Sequence, residues 1–489
     1  MHRNLAAVVG VATLTASLLA PVSVDAAAMP SIARPSAERA LATATSVLAG
    51  EAAPQTDATM ALLGLRAAYD DLSPHQRVQA DRVVARPTRD DVLCGVRVCV
   101  HYTRGSTGDR TTQAWAEQTL ATMDDARDYI VHHGFRRGQA SDLLKGGNGK
   151  LDVYTENLRD EGHAGYCQTE TQVVGEPRLY SGFCVFDNDF EGYAEGPKRM
   201  LRITAAHEIF HAVEFNYDTF EDPWIMEASA NWMTDEYLVD GVGATEPYLD
   251  SLAYGQLGKP RKSLDRASGR SPAGNWIFIE RVSRKLSYRG VRNIWERLDA
   301  TTGAPNASSI KGVKQVLAAE DVAFRGFYTR FAADNRFPHG AYHAGDSYEP
   351  TKPAKTFRLA AAEPSARASV TLDHLSSTSY VFTPGASLSG SWRLRLTVNG
   401  PRRAEGTGAY VQVVKRRSGV LVDSRPISID KGGDGTVVAS LKDDVPYRVI
   451  VTLANAGTQY TCAQGTTLAC QGVSKNDDNR FVLTARAVR

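Results

Sequence analysis

Hydrophobic positions along this chain follow two periods, and the switches between them outline its architecture. Between Ser36 and Val84 an Ala-rich stretch carries two helical segments. One of them, Thr59 to Tyr69, sets Met60, Leu62, Leu63 and Leu65 on a broad apolar face. From Val96 the period shortens to two, and Val96-Arg-Val-Cys-Val-His-Tyr alternates as a strand does. Thr112 to His132 returns to the helical period, with Trp115, Leu120, Met123, Ala126 and Ile130 facing a core. Leu151-Asp-Val-Tyr-Thr, Tyr166 to Thr171 and Ser181 to Phe186 predict further strands. Met200 to Phe215, free of Pro and Gly, predicts a second long helix. Tyr237 to Arg336 is mainly helical in pattern, with an amphipathic stretch opening at Trp276, then Gly290 to Leu298 and Ile310 to Phe331.

From about Thr356 short alternating runs separated by Gly, Pro, Asp and Ser take over. They begin at Ser369, Ser379, Trp392, Tyr410, Thr436, Tyr447 and Phe481, and strands at this spacing predict an antiparallel β-sandwich. The fold class is therefore α+β: a mixed sheet with long helices, a helical lower half, then a sandwich. The expected boundaries are 1–26 for an export signal, 27–90 for a helical propeptide or N-terminal extension, 91–345 for the mixed-sheet and helical domain and 356–489 for the sandwich.

The N-terminus supplies the compartment. His2 and Arg3 precede the apolar run Leu5 to Leu19, and Val24-Asp25-Ala26 offers small residues for cleavage. No later segment approaches the roughly 20 apolar residues that span a bilayer, so a secreted, extracellular protein without a membrane anchor is expected. Six cysteines stand in local pairs, Cys94 with Cys99, Cys167 with Cys184 and Cys462 with Cys470. About fifteen connectivities are open to six cysteines, and spacing only favours this one. No Cys-x-x-Cys pair exists, which argues for disulfides over a cysteine-ligated metal. The 489 residues carry 56 basic and 55 acidic side chains, a balance that gives no reason to expect a nucleic-acid partner. Oligomeric state is not legible.

The chemistry concentrates in His207-Glu208-Ile209-Phe210-His211. Residues four apart share a helical face, so both imidazoles can bind one Zn²⁺, with Glu208 placed as general base. A third ligand follows. Asp222 is a natural N-cap and Pro223 fits the first helical position, so a second helix should begin there. If the first helix ends near Tyr217, it travels roughly 9 Å past His211, and the return from Asp222 to Glu227 recovers roughly 7.5 Å. Glu227 thus regains the level of the histidines, and Ala228, Ser229 and Ala230 let the helices approach.

This pattern resembles the gluzincin group of zinc metallopeptidases. The longer strings, His207-Glu-Ile-Phe-His-Ala-Val-Glu-Phe and Trp224-Ile-Met-Glu-Ala-Ser-Ala-Asn-Trp, are similar to a poorly characterised set of secreted bacterial metallopeptidases. The resemblance covers about Asp91 to Arg336 and implies a zincin-like domain with one catalytic Zn²⁺, ligands His207, His211 and Glu227, and Glu208 as base. The implied activity is hydrolysis of protein or peptide substrates, with endopeptidase preferred. Only fifteen residues separate His211 from Glu227, fewer than in thermolysin-like enzymes, so their specificity does not carry over. Those enzymes orient a metal histidine with an Asp one turn after the ligand Glu. Asn231 stands there in this chain, with Asp235 a turn further as the substitute.

Lesser readings stand beside these. Asp187-Asn-Asp189-Phe-Glu191-Gly192 opens like a calcium loop but has Lys198 at the twelfth position, which leaves structural Ca²⁺ behind an active-site loop. Tyr254 and His343 are candidates for oxyanion stabilisation. Trp392, Arg393 and Arg395 offer a polymer-binding surface or an ordinary exposed strand face. The competing function is a secreted binding or adhesive protein in which the sandwich acts and the catalytic-looking domain is a scaffold.

Overall fold

A computed structural model describes residues 36–52, 57–105, 108–136, 147–385, 387–388, 392–415, 418–440, 447–462, 468–470 and 472–488. The expected signal, residues 1–26, lies outside them. Three helices come first, where two were expected: α1 (Ala37–Leu48), α2 (Ala58–Ala68) and α3 (Pro74–Val83). Only Ala80 of α3 is buried, so this helix has no apolar stripe to reveal it. A capping box between Ser73 and Gln76 and Pro74 in the first turn hold it instead.

A mixed sheet follows, built from β1 (Asp91–Cys94), β2 (Val98–Tyr102), β3 (Leu151–Glu156), β4 (Gly165–Gln172) and β5 (Tyr180–Asp187), with α4 (Gln113–His132) between β2 and β3. Its order is β1-β2-β3-β5-β4, so β4 is an edge. β3 runs parallel to β2 and β5, and β4 runs antiparallel to β5. Side chains on alternate sides of the strands go to two different cores. Val153, Cys167, Cys184 and Phe186 join the main core with α4 and the helices beyond. Tyr154, Tyr166, Phe183 and Val185 pack under α1, α2 and α3. The first three helices therefore form a layer over one face of this sheet.

α5 (Pro197–Asp218) and α6 (Pro223–Glu236) form an antiparallel-capable pair joined by a four-residue turn. They are followed by α7 (Ser271–Gly274), α8 (Trp276–Leu298), α9 (Ser309–Ala319) and α10 (Phe324–Asp334). The helical expectation for Tyr237 to Arg336 therefore holds only in part, because 242–270 is a run of turns. The stretch read as continuous from Ile310 to Phe331 is two helices, broken where Asp321 takes a φ of 56°. No helix among the described residues is long and apolar enough to cross a membrane.

The remaining strands are β6 (Lys355–Leu359), β7 (Ser365–Leu372), β8 (Ser376–Pro384), β9 (Arg393–Asn399), β10 (Thr407–Lys415), β11 (Leu421–Pro426), β12 (Asp434–Ser440), β13 (Tyr447–Asn455), β14 (Tyr460–Thr461), β15 (Val473–Ser474) and β16 (Asn479–Val488). They form a five-stranded sheet, β11-β10-β13-β8-β6, and a four-stranded one, β12-β9-β16-β7, besides the small β14-β15 pair. Both larger sheets contribute to one core, around Leu396, Val411, Val449 and Phe481. The architecture is thus mixed α+β with sandwich-like sheets. One detail corrects the antiparallel expectation: β6 pairs with β8 in parallel. All three disulfides form as the spacing favoured, Cys94–Cys99, Cys167–Cys184 and Cys462–Cys470.

Candidate metal centre

α5 is buried nearly all round from Leu201 to Asp218, since it runs between the sheet, α4, α6 and α8. A helix so enclosed would normally be apolar on every face. Instead it buries Glu208, His211, Glu214 and Asp218, and α6 adds buried Glu227 and Asp235. Such groups are costly away from water unless they are paired or bind a cation.

Asp222 does occupy the N-cap of α6, yet its side chain makes no capping bond. Its carboxylate accepts from the Ser309 hydroxyl at 2.7 Å and from the Cys470 N–H at 3.2 Å. The turn between the two helices is thereby tied to α9 and to the loop closed by Cys462–Cys470. Asp218, at the end of α5, pairs with Arg178 at 2.7 Å. These anchors fix how far α6 returns alongside α5, and with it the level of Glu227.

His207, His211 and Glu227 come together as a group that could hold a metal ion, each with a ligand atom within 4.8 Å of the others. The two Nε2 atoms face each other at 3.1 Å, and Glu227 Oε1 lies 3.4 Å from His211 Nε2. Two ligand atoms each about 2.1 Å from one tetrahedral centre stand about 3.4 Å apart, so separations of 3.1 and 3.4 Å are compatible with donors around a single small cation. Glu227 Oε1 is buried and has no hydrogen-bond partner, so it is free to serve as a ligand atom. Both imidazoles are pushed toward the neutral form that ligands need: His207 by burial and then by His211, and His211 by burial, to about 4.

The orienting group behind His211 differs from the expected ones. Glu214 Oε2 lies 2.7 Å from His211 Nδ1 in a fully buried contact. A proton on Nδ1 donated to that carboxylate turns the Nε2 lone pair toward the cluster. Asn231 does not do this. Its amide donates to the Glu227 carbonyl at 2.9 Å and its Oδ1 accepts from the Tyr248 hydroxyl. Asp235 does not either, since it sits 3.7 Å from His343 Nδ1. Glu214 lies three residues after His211 on the same helical face, a spacing visible in the sequence.

Glu208 is buried, and burial followed by the charges of Asp57 and Glu227 drives its pKa well above the usual carboxylate range. The hydrogen bond from the Thr59 hydroxyl opposes that rise. The Thr59 contact, 3.1 Å to Glu208 Oε2, joins residues 149 apart in sequence. Nothing in the local pattern could have revealed it.

Tyr254 lies with its ring under the Arg270 guanidinium at 4.8 Å, and His343 stands between Asp235 and Glu280. Among the described residues neither hydrogen-bonds to a member of the cluster. Asp187, which opened the calcium-like run, accepts from the N–H groups of Leu158, Arg159 and Phe190, and so closes a loop just before α5. Arg393 and Arg395 point outward on β9, alternating with buried Leu394 and Leu396.

No protein-family model matches the chain. No curated protein matches it either. Among solved structures, the pre-peptidase C-terminal domain of a Bacillus anthracis collagenase aligns at 11% identity over 28% of this chain and 97% of its own, with a TM-score of 0.17. A periplasmic inhibitor of g-type lysozyme from Aeromonas hydrophila aligns at 11% identity over 27% of this chain and 98% of its own, TM-score 0.16. The surface-associated copper-binding protein CorA of Methylomicrobium album BG8 aligns at 8% identity over 28% and 99%, TM-score 0.17. Likenesses of this size assign no activity.

Proposed function

We propose that this chain is a secreted zinc peptidase of gluzincin type, with residues 91–345 as a zincin-like catalytic domain that cleaves within peptide chains. The observation that carries the reading is the donor set: two Nε2 atoms 3.1 Å apart and an unpartnered Glu227 Oε1 3.4 Å from one of them. Three disulfides support export, since such bonds persist in oxidising compartments.

Zinc held by His207, His211 and Glu227 would polarise a scissile carbonyl and bring the pKa of a water toward 7. The chain's own residues supply the rest. Glu208 takes the proton of the attacking water and returns it to the leaving amine. Glu214 holds His211 in the tautomer that presents Nε2. The sheet, α4 and α8 exclude water from the far side of α5.

Incubating the purified protein with a quenched mixed-peptide library, beside its Glu208→Gln variant, tests this reading. Cleavage by the wild type alone is expected, and the cut sites give the specificity. Equal cleavage by both would remove the peptidase assignment.

A further inference from the structure

The base of the proposed site is already engaged by the chain's own N-terminal layer. Thr59, in the first turn of α2, is fully buried. Its hydroxyl donates to Glu208 Oε2 at 3.1 Å and accepts from the Cys167 N–H at 3.0 Å. That second bond identifies what α2 covers. Cys167 lies on the edge strand β4, directly opposite Cys184 of β5, with their Cα atoms 4.0 Å apart. So close a spacing marks an antiparallel pair without mutual hydrogen bonds, in which each N–H points away from its neighbour. The Cys167 N–H therefore faces the open edge of the sheet, beside Glu208. An edge of this kind recruits an extended peptide by adding it as a strand.

Asp57 stands at the N-cap of the same helix, its Oδ1 accepting from the Met60 N–H at 2.8 Å. Its charge acts on His207, His211, Glu208 and Glu227, so this end of α2 lies within electrostatic range of the cluster. The layer is fastened at its far end, where Arg86 pairs with Asp152 and Glu170, both at 2.6 Å. At the cleft end it is held by Thr59 and by Leu63, which joins the main core.

We propose that α1 and α2 form a built-in inhibitor: Thr59 occupies both the catalytic base and the substrate-pairing edge of β4, and peptide binding requires α2 to swing away. The inference rests on the peptidase reading for its substrate, but access to the cleft is measurable without turnover. A protein whose binding-competent state is a minor population shows its affinity reduced by that fraction. Loss of the two Thr59 hydrogen bonds and the Asp57 charge raises the open population by about tenfold or more.

The test uses the zinc-loaded full chain, a peptidyl hydroxamate as probe and a quenched peptide as substrate. Asp57→Ser keeps a capping side chain and removes the charge, Thr59→Val keeps the shape and removes both hydrogen bonds, and Thr59→Ser is the conservative control. The double variant is expected to bind the hydroxamate about tenfold more tightly, with kcat/KM rising in step, while Thr59→Ser matches the wild type. Unchanged or weaker hydroxamate binding by the folded, zinc-loaded double variant would overturn the inference, whatever its turnover. Tighter binding with no cleavage by any variant would sustain the inference and remove the peptidase reading.

Discussion

The α5–α6 pair and the β-sandwich bury their polar groups in opposite ways. Along the two helices and their turn, Glu208, His211, Glu214, Asp218, Glu221, Asp222, Glu227 and Asp235 are all buried. Across the sandwich the buried polar side chains are neutral, such as Ser376, Gln412, Thr452 and Asn455. No carboxylate, histidine, lysine or arginine is buried there among the described residues. The sandwich follows what packing alone requires, alternating apolar residues inward and charged ones outward, as in β9 and β16. The helix pair departs from that rule at considerable electrostatic cost. Local rules broken without a packing reason are where functional sites cluster, so the contrast favours the helix pair over the sandwich as the seat of the proposed chemistry.

If that division is right, damage to one region should leave the other's property intact. Leu396→Ala in the sandwich core removes a fully buried side chain and is expected to cost about 2–5 kcal/mol of stability in denaturant titration. Zinc affinity measured on the still-folded fraction should not move. The reciprocal change, Glu214→Gln, should weaken zinc about 10–100-fold by competition with a chromophoric chelator, with the sandwich unaltered. Loss of zinc binding in Leu396→Ala, or full affinity in Glu214→Gln, would break the contrast.

A smaller effect sharpens it at the junction of the two regions. His374, between β7 and β8, contacts Asp265 through Nε2 and Asp477 through Nδ1, and Tyr460 also donates to Asp265. Burial disfavours the imidazolium, but the two carboxylates outweigh it and raise the pKa to about 9. A pKa raised on folding gives stability that is fully present below the unfolded value of about 6.5 and is lost as pH rises through about 9. The wild type should therefore lose more Tm than His374→Gln between pH 6.5 and 10. Parallel Tm curves would mean that this contact does not brace the junction.

How much of this was legible depends on the range of each interaction. His207, Glu208 and His211 are set by one helical repeat, and Glu227 by the arithmetic of a helix returning after a short turn. Glu214 was equally readable, since three residues after His211 places it on the same face. Asn231 differs because helical phase says which way a residue faces but not what saturates it. Here the Glu227 carbonyl and Tyr248 take both ends of its amide. Thr59 and Asp57 reach the site by tertiary packing alone, beyond any local pattern. Of the strands, β11 escaped because almost every residue of it is exposed, leaving no alternation to see. β6 has the same cause, with only Leu359 buried.

Zinc content separates ligand from base most directly, and it is independent of whether α2 is seated. Wild type, Glu208→Gln and Glu227→Gln would be dialysed against the same buffered zinc and assayed by elemental analysis. The account predicts one zinc per chain in the wild type and in Glu208→Gln, and loss of zinc in Glu227→Gln. Equal zinc loss in both variants, or full occupancy in Glu227→Gln, would contradict the assignment of roles on which the rest depends.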